Sequence, residues 1–137
     1  MTAFRTTRRV EFADTDMEGM VHFARFLVFM ETAEHELLRA AGAEIDHDPD
    51  GERWHWPRVK VECDYRAPLH FGDAVDLEVR VADRGRSSVT YEHTLLRDGT
   101  VVAAGRVKAV CCRRGGDGRL HAVALPDTFA TALDAFR

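Results

Sequence analysis

The chain has 137 residues, 45% hydrophobic and 31% charged, a balance that suits one soluble domain over residues 1–137 and excludes a disordered or two-domain chain. Nineteen basic residues against 23 acidic ones give a formal net charge of -4, the opposite of the basic excess expected of a nucleic-acid binder. The three cysteines, Cys63, Cys111 and Cys112, have no C-x-x-C spacing, which argues against a disulfide framework or zinc site and for a reducing, cytoplasmic setting.

The N-terminal Met1-Thr2-Ala3-Phe4-Arg5 lacks the apolar stretch of a signal peptide, and no apolar run reaches membrane-spanning length. Arg8, Val10 and Phe12 alternate with Arg9 and Glu11, predicting a short strand. A loop with Asp14 and Asp16 follows and closes at Gly19. Over residues 23–41, Phe26, Met30, Ala33, Leu37 and Ala41 recur at helical spacing. Phe23, Leu27, Phe29 and Leu38 widen that face, so a long, largely buried helix is expected, with Gly42 at its C-terminal cap. Residues 45–53, with Asp46, Asp48, Pro49, Asp50 and Gly51, read as a polar loop.

After Pro57 the period changes to two. Val59, Val61, Cys63 and Tyr65 predict one half-buried strand, Val75, Leu77, Val79 and Val81 a second, and Val89, Tyr91, His93 and Leu95 a third. Residues 100–113 are apolar on both faces and predict a central strand, joined to its predecessor by the hairpin signal Asp98-Gly99. A loose turn at Gly115-Gly116-Asp117-Gly118 leads to a short strand over residues 120–125. Pro126 then opens a terminal helix carrying Phe129, Leu133 and Phe136. Strand, long helix, then meander is an α+β order: one long helix across a curved antiparallel sheet of about five strands.

Common catalytic signatures are missing. There is no G-x-S-x-G elbow, Walker A loop or G-x-G-x-x-G, and the cysteines fall in predicted strands, away from helix N-termini. Glu31, Glu34 and His35 lack the paired histidines of a zincin motif. Glu31, His35 and Arg39 instead form a solvated line at i, i+4 and i+8, so no metal site is predicted. The Asp14-Thr15-Asp16 loop stands before a helix start, where an aspartate either satisfies free N–H groups or serves as a reactive carboxylate. Spacing alone leaves both open.

The segment Glu11-Phe12-Ala13-Asp14-Thr15-Asp16-Met17-Glu18-Gly19-Met20-Val21-His22-Phe23 resembles the signature of the 4-hydroxybenzoyl-CoA thioesterase and YbgC-like family. The resemblance continues through Trp56-Pro57, Asp64-Tyr65-Arg66-Ala67-Pro68-Leu69 and Phe71-Gly72-Asp73, and so spans most of the chain. It implies a hotdog fold and a homodimer or homotetramer with sites between subunits. The implied activity is hydrolysis of an acyl- or aroyl-CoA thioester to free acid and CoA. Asp16 then falls on the catalytic carboxylate, as nucleophile or general base, and the backbone N–H of Phe23 on the oxyanion donor. His22 departs from the usual pattern and either positions water or lines the pocket. Arg84, Gly85, Arg86 and Ser87 match a basic turn that holds the coenzyme A phosphates, and Asp14 holds the loop or caps the helix. Coenzyme A belongs to the substrate, and no separate cofactor or metal, nucleic acid or membrane partner is expected.

The chemistry suits so small a set of groups. A thiolate leaves readily, so hydrolysis needs a donor for the oxyanion and a carboxylate that attacks or activates water. Within the same fold, a hydratase or dehydratase using His22 with Asp16, a carrier-protein thioesterase and a non-catalytic acyl-CoA-binding module are the alternatives.

Overall fold

The computed structural model describes residues 3–43, 51 and 53–137, so most of the predicted loop over residues 45–53 lies outside the described residues. In chain order the elements are β1 (Phe4–Arg9), a 3-10 turn (Phe12–Asp14), α1 (Arg25–Ala40), β2 (Arg58–Tyr65), β3 (Ala74–Arg84), β4 (Ser88–Arg97), β5 (Thr100–Val110), β6 (Cys112–Arg114), β7 (Leu120–Ala122) and α2 (Asp127–Asp134). Five of them form one antiparallel sheet in the order β1-β3-β4-β5-β2, and β6 pairs separately with β7.

Period-two alternation puts Val75, Leu77, Val79 and Val81 of β3 and Val89, Tyr91, His93 and Leu95 of β4 on one buried face. Onto that face α1 lays Phe26, Phe29, Met30, Ala33 and Leu37. Each large apolar side chain buried here contributes roughly 1.5–3 kcal/mol. β5 passes the helix at Gly105, where a Cβ would clash with the Glu62 carbonyl and come within 2.8 Å of Met30 Cε. Glycine is what lets the layers approach so closely. α2 adds Phe129, Ala130 and Leu133 to the same core, with Trp56 stacked on Phe129 at 4.5 Å.

Two local predictions match. Asp98 and Gly99 both have positive φ, 50° and 79°, as a two-residue type I′ hairpin requires. Gly42, at φ 71°, follows the end of α1 and donates its N–H to Arg39 O.

Other boundaries move for local reasons. α1 is shorter than predicted, at 16 residues, because His22 closes a turn first. Its carbonyl accepts the Arg25 N–H and its Nδ1 accepts the Ala24 N–H. Phe23 therefore precedes the helix and is 67% exposed, not buried on its face. β1 lies earlier than predicted, and Phe12 sits 79% exposed on the 3-10 turn. The strand predicted over residues 100–113 breaks at Cys111, whose N–H bonds Ser87 O, and the chain turns away to pair β6 with β7. β5 is interior as expected, paired on both edges, with β4 in the middle of the sheet. Among the described residues β2 is an edge strand, paired only to β5, and its Val59 and Val61 are exposed.

Beneath α1 lies a polar group that periodicity did not reveal. Glu34 is 4% exposed, and its Oε2 sits 2.9 Å from Arg58 Nη2, close but poorly aligned for a hydrogen bond. His93 is 1% exposed, and neither ring nitrogen has a partner among the described residues. Burial raises the Glu34 carboxyl to about 7, although Arg58 pulls the other way. Burial pushes the His93 imidazole down to about 3, and the Arg58 charge adds to that.

The two groups have opposite pH signatures. The raised carboxyl contributes stability that is present below 4.5 and lost as pH rises to about 7. The depressed imidazole contributes stability that is present above 6.5 and lost as pH falls towards about 3. Between 4.5 and 6.5 these slopes oppose, so the melting temperature should stay nearly flat. Glu34→Gln should unmask the His93 slope, its melting temperature falling on acidification from pH 6.5 while that of the natural chain holds. Parallel calorimetric profiles would refute the opposition.

Candidate active site

Asp14 fixes the loop between β1 and α1. It is fully buried, and its Oδ1 accepts from Arg25 Nη2 at 2.7 Å, Arg25 Nε at 3.0 Å and Arg8 Nη2 at 3.3 Å. Its Oδ2 accepts the Glu11 N–H at 2.9 Å and its carbonyl the His22 N–H at 2.9 Å. Burial alone would raise this carboxyl, but the Glu11 N–H and the two guanidinium groups outweigh it and hold it below the usual carboxylate value. Arg8 also lies over the Phe29 ring at 4.5 Å and donates to Thr32 Oγ1. One carboxylate thus ties strand, loop and helix together.

Two residues on, Asp16 opens a tight loop in which its N–H bonds Met20 O at 2.8 Å and Gly19 N–H bonds Asp16 O at 3.1 Å. Gly19 takes φ 79° there, which an L side chain rarely adopts. Asp16 Oδ1 accepts the Glu18 and Met20 N–H groups at 2.9 and 3.3 Å. Its Oδ2 has no partner among the described residues. One oxygen holds the loop and the other is available.

A similar accounting singles out Phe23. His22 N–H bonds Asp14 O, Ala24 N–H bonds His22 Nδ1, and Arg25 N–H bonds His22 O. The Phe23 carbonyl accepts from Tyr65 Oη at 2.8 Å, and the Ala24 carbonyl accepts the Leu27 N–H. The Phe23 N–H is the donor of this turn left without a partner among the described residues. Backbone donors are seldom left unpaired without a ligand or water to take them.

Asp16 and Phe23 line one open pocket of about 430 Å³, with Met20, Phe26, Tyr65 and Arg66 among its walls. The loop is pinned beside the segment leading into β3: Val21 N–H bonds Leu69 O, and Met20 pairs with His70. Tyr65 and Arg66 come from the end of β2, and the Tyr65 ring stands edge-on to Phe26 at 5.0 Å. Sequence reasoning gave neither residue a role. Both lay in a recognised segment, but nothing in an alternating strand points a tyrosine back at a turn 42 residues earlier.

A family model of the thioesterase-like superfamily matches residues 10–133. The chain belongs to that superfamily. Among its relatives, a 1,4-dihydroxy-2-naphthoyl-CoA hydrolase of Parasynechococcus marenigrum is 32% identical over 137 residues, covering 93% of this chain and 87% of its own. The acyl-CoA thioesterase YbgC of Haemophilus influenzae is 26% identical over 125 residues, covering 91% and 90%. A solved protein of Pseudomonas aeruginosa strain PAO1 superposes with a TM-score of 0.83 at 30% identity, over 99% of this chain and 92% of its own. The chain is thus a thioester hydrolase, and its five antiparallel strands and packed helix have the layout expected of the hotdog fold.

In this thioesterase the other predicted site residues lie apart from the pocket. His22 is exposed outside the pocket lining, its ring stacked on Phe23 at 4.6 Å and its Nδ1 occupied by the Ala24 N–H. Arg84, Gly85, Arg86 and Ser87 join β3 to β4 at the opposite end of the sheet from the Asp16 loop, about 30 Å away along the strand at about 3.3 Å per residue. Arg84 is engaged with Asp134 at 3.0 Å, and Gly85 N–H bonds Ser88 O. Arg86 is exposed, and its carbonyl accepts the Leu125 N–H. Within one chain this turn and Asp16 do not meet.

Proposed function

We propose that this thioesterase hydrolyses an acyl- or aroyl-CoA thioester to the free acid and CoA. The supporting observation is the pairing, in one pocket, of a carboxylate oxygen and a backbone N–H that are both without partners among the described residues. Asp16 Oδ2 either attacks the carbonyl carbon, expelling the CoA thiolate before water cleaves the resulting anhydride, or removes a proton from the attacking water. The Phe23 N–H holds the oxyanion as charge develops on it. Met20 and Phe26 supply apolar wall for the acyl group. The names of the relatives quoted above favour an acyl or aroyl substrate.

The turn carrying Arg84, Gly85, Arg86 and Ser87 reaches a thioester held at Asp16 only from a second copy of the chain. A two-chain site has physical support in the open edge of β2, whose exposed Val59 and Val61 suit strand pairing with that copy. The hydratase alternative needs a second acid–base group in the pocket, and His22 does not line it.

A thiol-release assay against straight-chain and aromatic acyl-CoAs tests the proposal. Turnover of at least one class is expected. If none of them releases CoA, the CoA-ester reading is lost.

A further inference from the structure

We infer that Tyr65 is a positioning residue for the hydrolysis, its phenol clamping the turn that presents the Phe23 N–H to the pocket. The inference rests on the oxyanion role proposed above for that N–H. Three bonds within the turn and to Asp14 fix the peptides around it: His22 N–H to Asp14 O, Ala24 N–H to His22 Nδ1, and Arg25 N–H to His22 O. Of these, the Ala24 N–H bond lies on the peptide joining Phe23 to Ala24, and it ties that peptide only to an exposed imidazole of the same turn. The Phe23 side chain adds no anchor in the core, being 67% exposed. What ties that peptide to another element is the hydrogen bond from Tyr65 Oη to the Phe23 carbonyl at 2.8 Å.

The clamp is itself well held. Tyr65 ends β2, a strand paired with β5 through Ala103, and its ring meets Phe26 edge-on at 5.0 Å. Phe26 is only 3% exposed, so the ring leans on the core. Burial beside Cys63 pushes the phenol up to about 12, so it stays a protonated donor throughout the working range. Without it the Phe23–Ala24 peptide keeps only the bond to His22 Nδ1 within the turn, and it can rock and carry the neighbouring N–H with it. Deleting an oxyanion donor outright costs about 10²–10³ in kcat, and displacing a catalytic group by an ångström can cost a hundredfold.

Tyr65→Phe removes the clamp and keeps the ring on Phe26. We expect kcat to fall about tenfold, less than outright loss of the donor, with KM within about twofold. A trifluoromethyl-ketone analogue of the substrate, which presents a tetrahedral oxygen to the donor, should lose affinity in the same proportion, while an inert thioether analogue binds as before. An unchanged kcat in Tyr65→Phe, alongside an inactive Asp16→Asn control, would overturn the inference and leave the active-site reading intact. Equal losses of affinity for both analogues would also overturn it, making Tyr65 a packing residue only. If the natural chain binds the ketone no better than the thioether, the oxyanion role of Phe23 falls and the inference falls with it.

Discussion

Asp16→Asn should lower kcat by about 10²–10⁴ while leaving the affinity for an inert thioether analogue nearly unchanged. The two oxygens of Asp16 make this a clean substitution. Oδ1 accepts the Glu18 and Met20 N–H groups, and an asparagine oxygen can accept both in the same place. The position that becomes an amide is Oδ2, which has no partner among the described residues. The loop should therefore hold its shape while losing a base or nucleophile. Lost proton transfer accounts for the whole of that range, so a loss beyond about 10⁴ would favour the nucleophilic role. Steady-state kinetics with analogue titration reads both quantities. Full activity in the variant would exclude Asp16 from the chemistry.

Asp14→Asn should instead cost stability, by about 3 kcal/mol, seen as a fall in melting temperature of roughly 10 °C. Asparagine cannot accept on both sides: its oxygen can serve Arg25, but its amide then faces the Glu11 N–H donor. Arg8 and Arg25 lose their counter-charge at the same time. Their side chains are 22% and 36% exposed, so water relieves part of the penalty, which places the loss at the low end for a broken buried pair. The pH dependence gives a second check. A carboxyl held below its usual value stabilises the fold above pH 3.8, and that contribution is lost as pH falls through its depressed folded value. The gap between natural chain and variant should therefore close in strong acid. A difference below about 3 °C at neutral pH would mean that the two arginines find other partners.

Much of this fold was legible because long periodic segments announce themselves. The alternation of Val75, Leu77, Val79 and Val81 and the helical recurrence of Phe26, Met30, Ala33 and Leu37 are direct images of burial. Boundaries were less legible, because side-chain bonds to the backbone decide them. His22 starts the helix late by accepting the Ala24 N–H, and Asp14 ends the first extended segment by taking the Glu11 N–H. Local sequence left Asp16 divided between capping and reactivity. In the structure Asp16 Oδ1 holds the Glu18 and Met20 N–H groups of its own loop, not the first turn of α1, so it braces the loop and caps no helix. Tyr65 and the Glu34–Arg58 pair were beyond reach for another reason: each acts on a group more than twenty residues away, and periodicity carries no information about such distances.

β1 is synthesised well before its partner β3, with Phe4 opposite Val79 and Arg9 opposite Ala74. The Asp16 loop follows that strand and is pinned to Leu69 and His70, just before β3 begins. On a ribosome, the proposed catalytic residues emerge long before β3 exists to hold them. Closing so long a loop is entropically costly and slow compared with forming local contacts. The proposed pocket can therefore assemble only once β3 has emerged and paired with β1, and until then the Asp16 loop lacks the contacts that hold it.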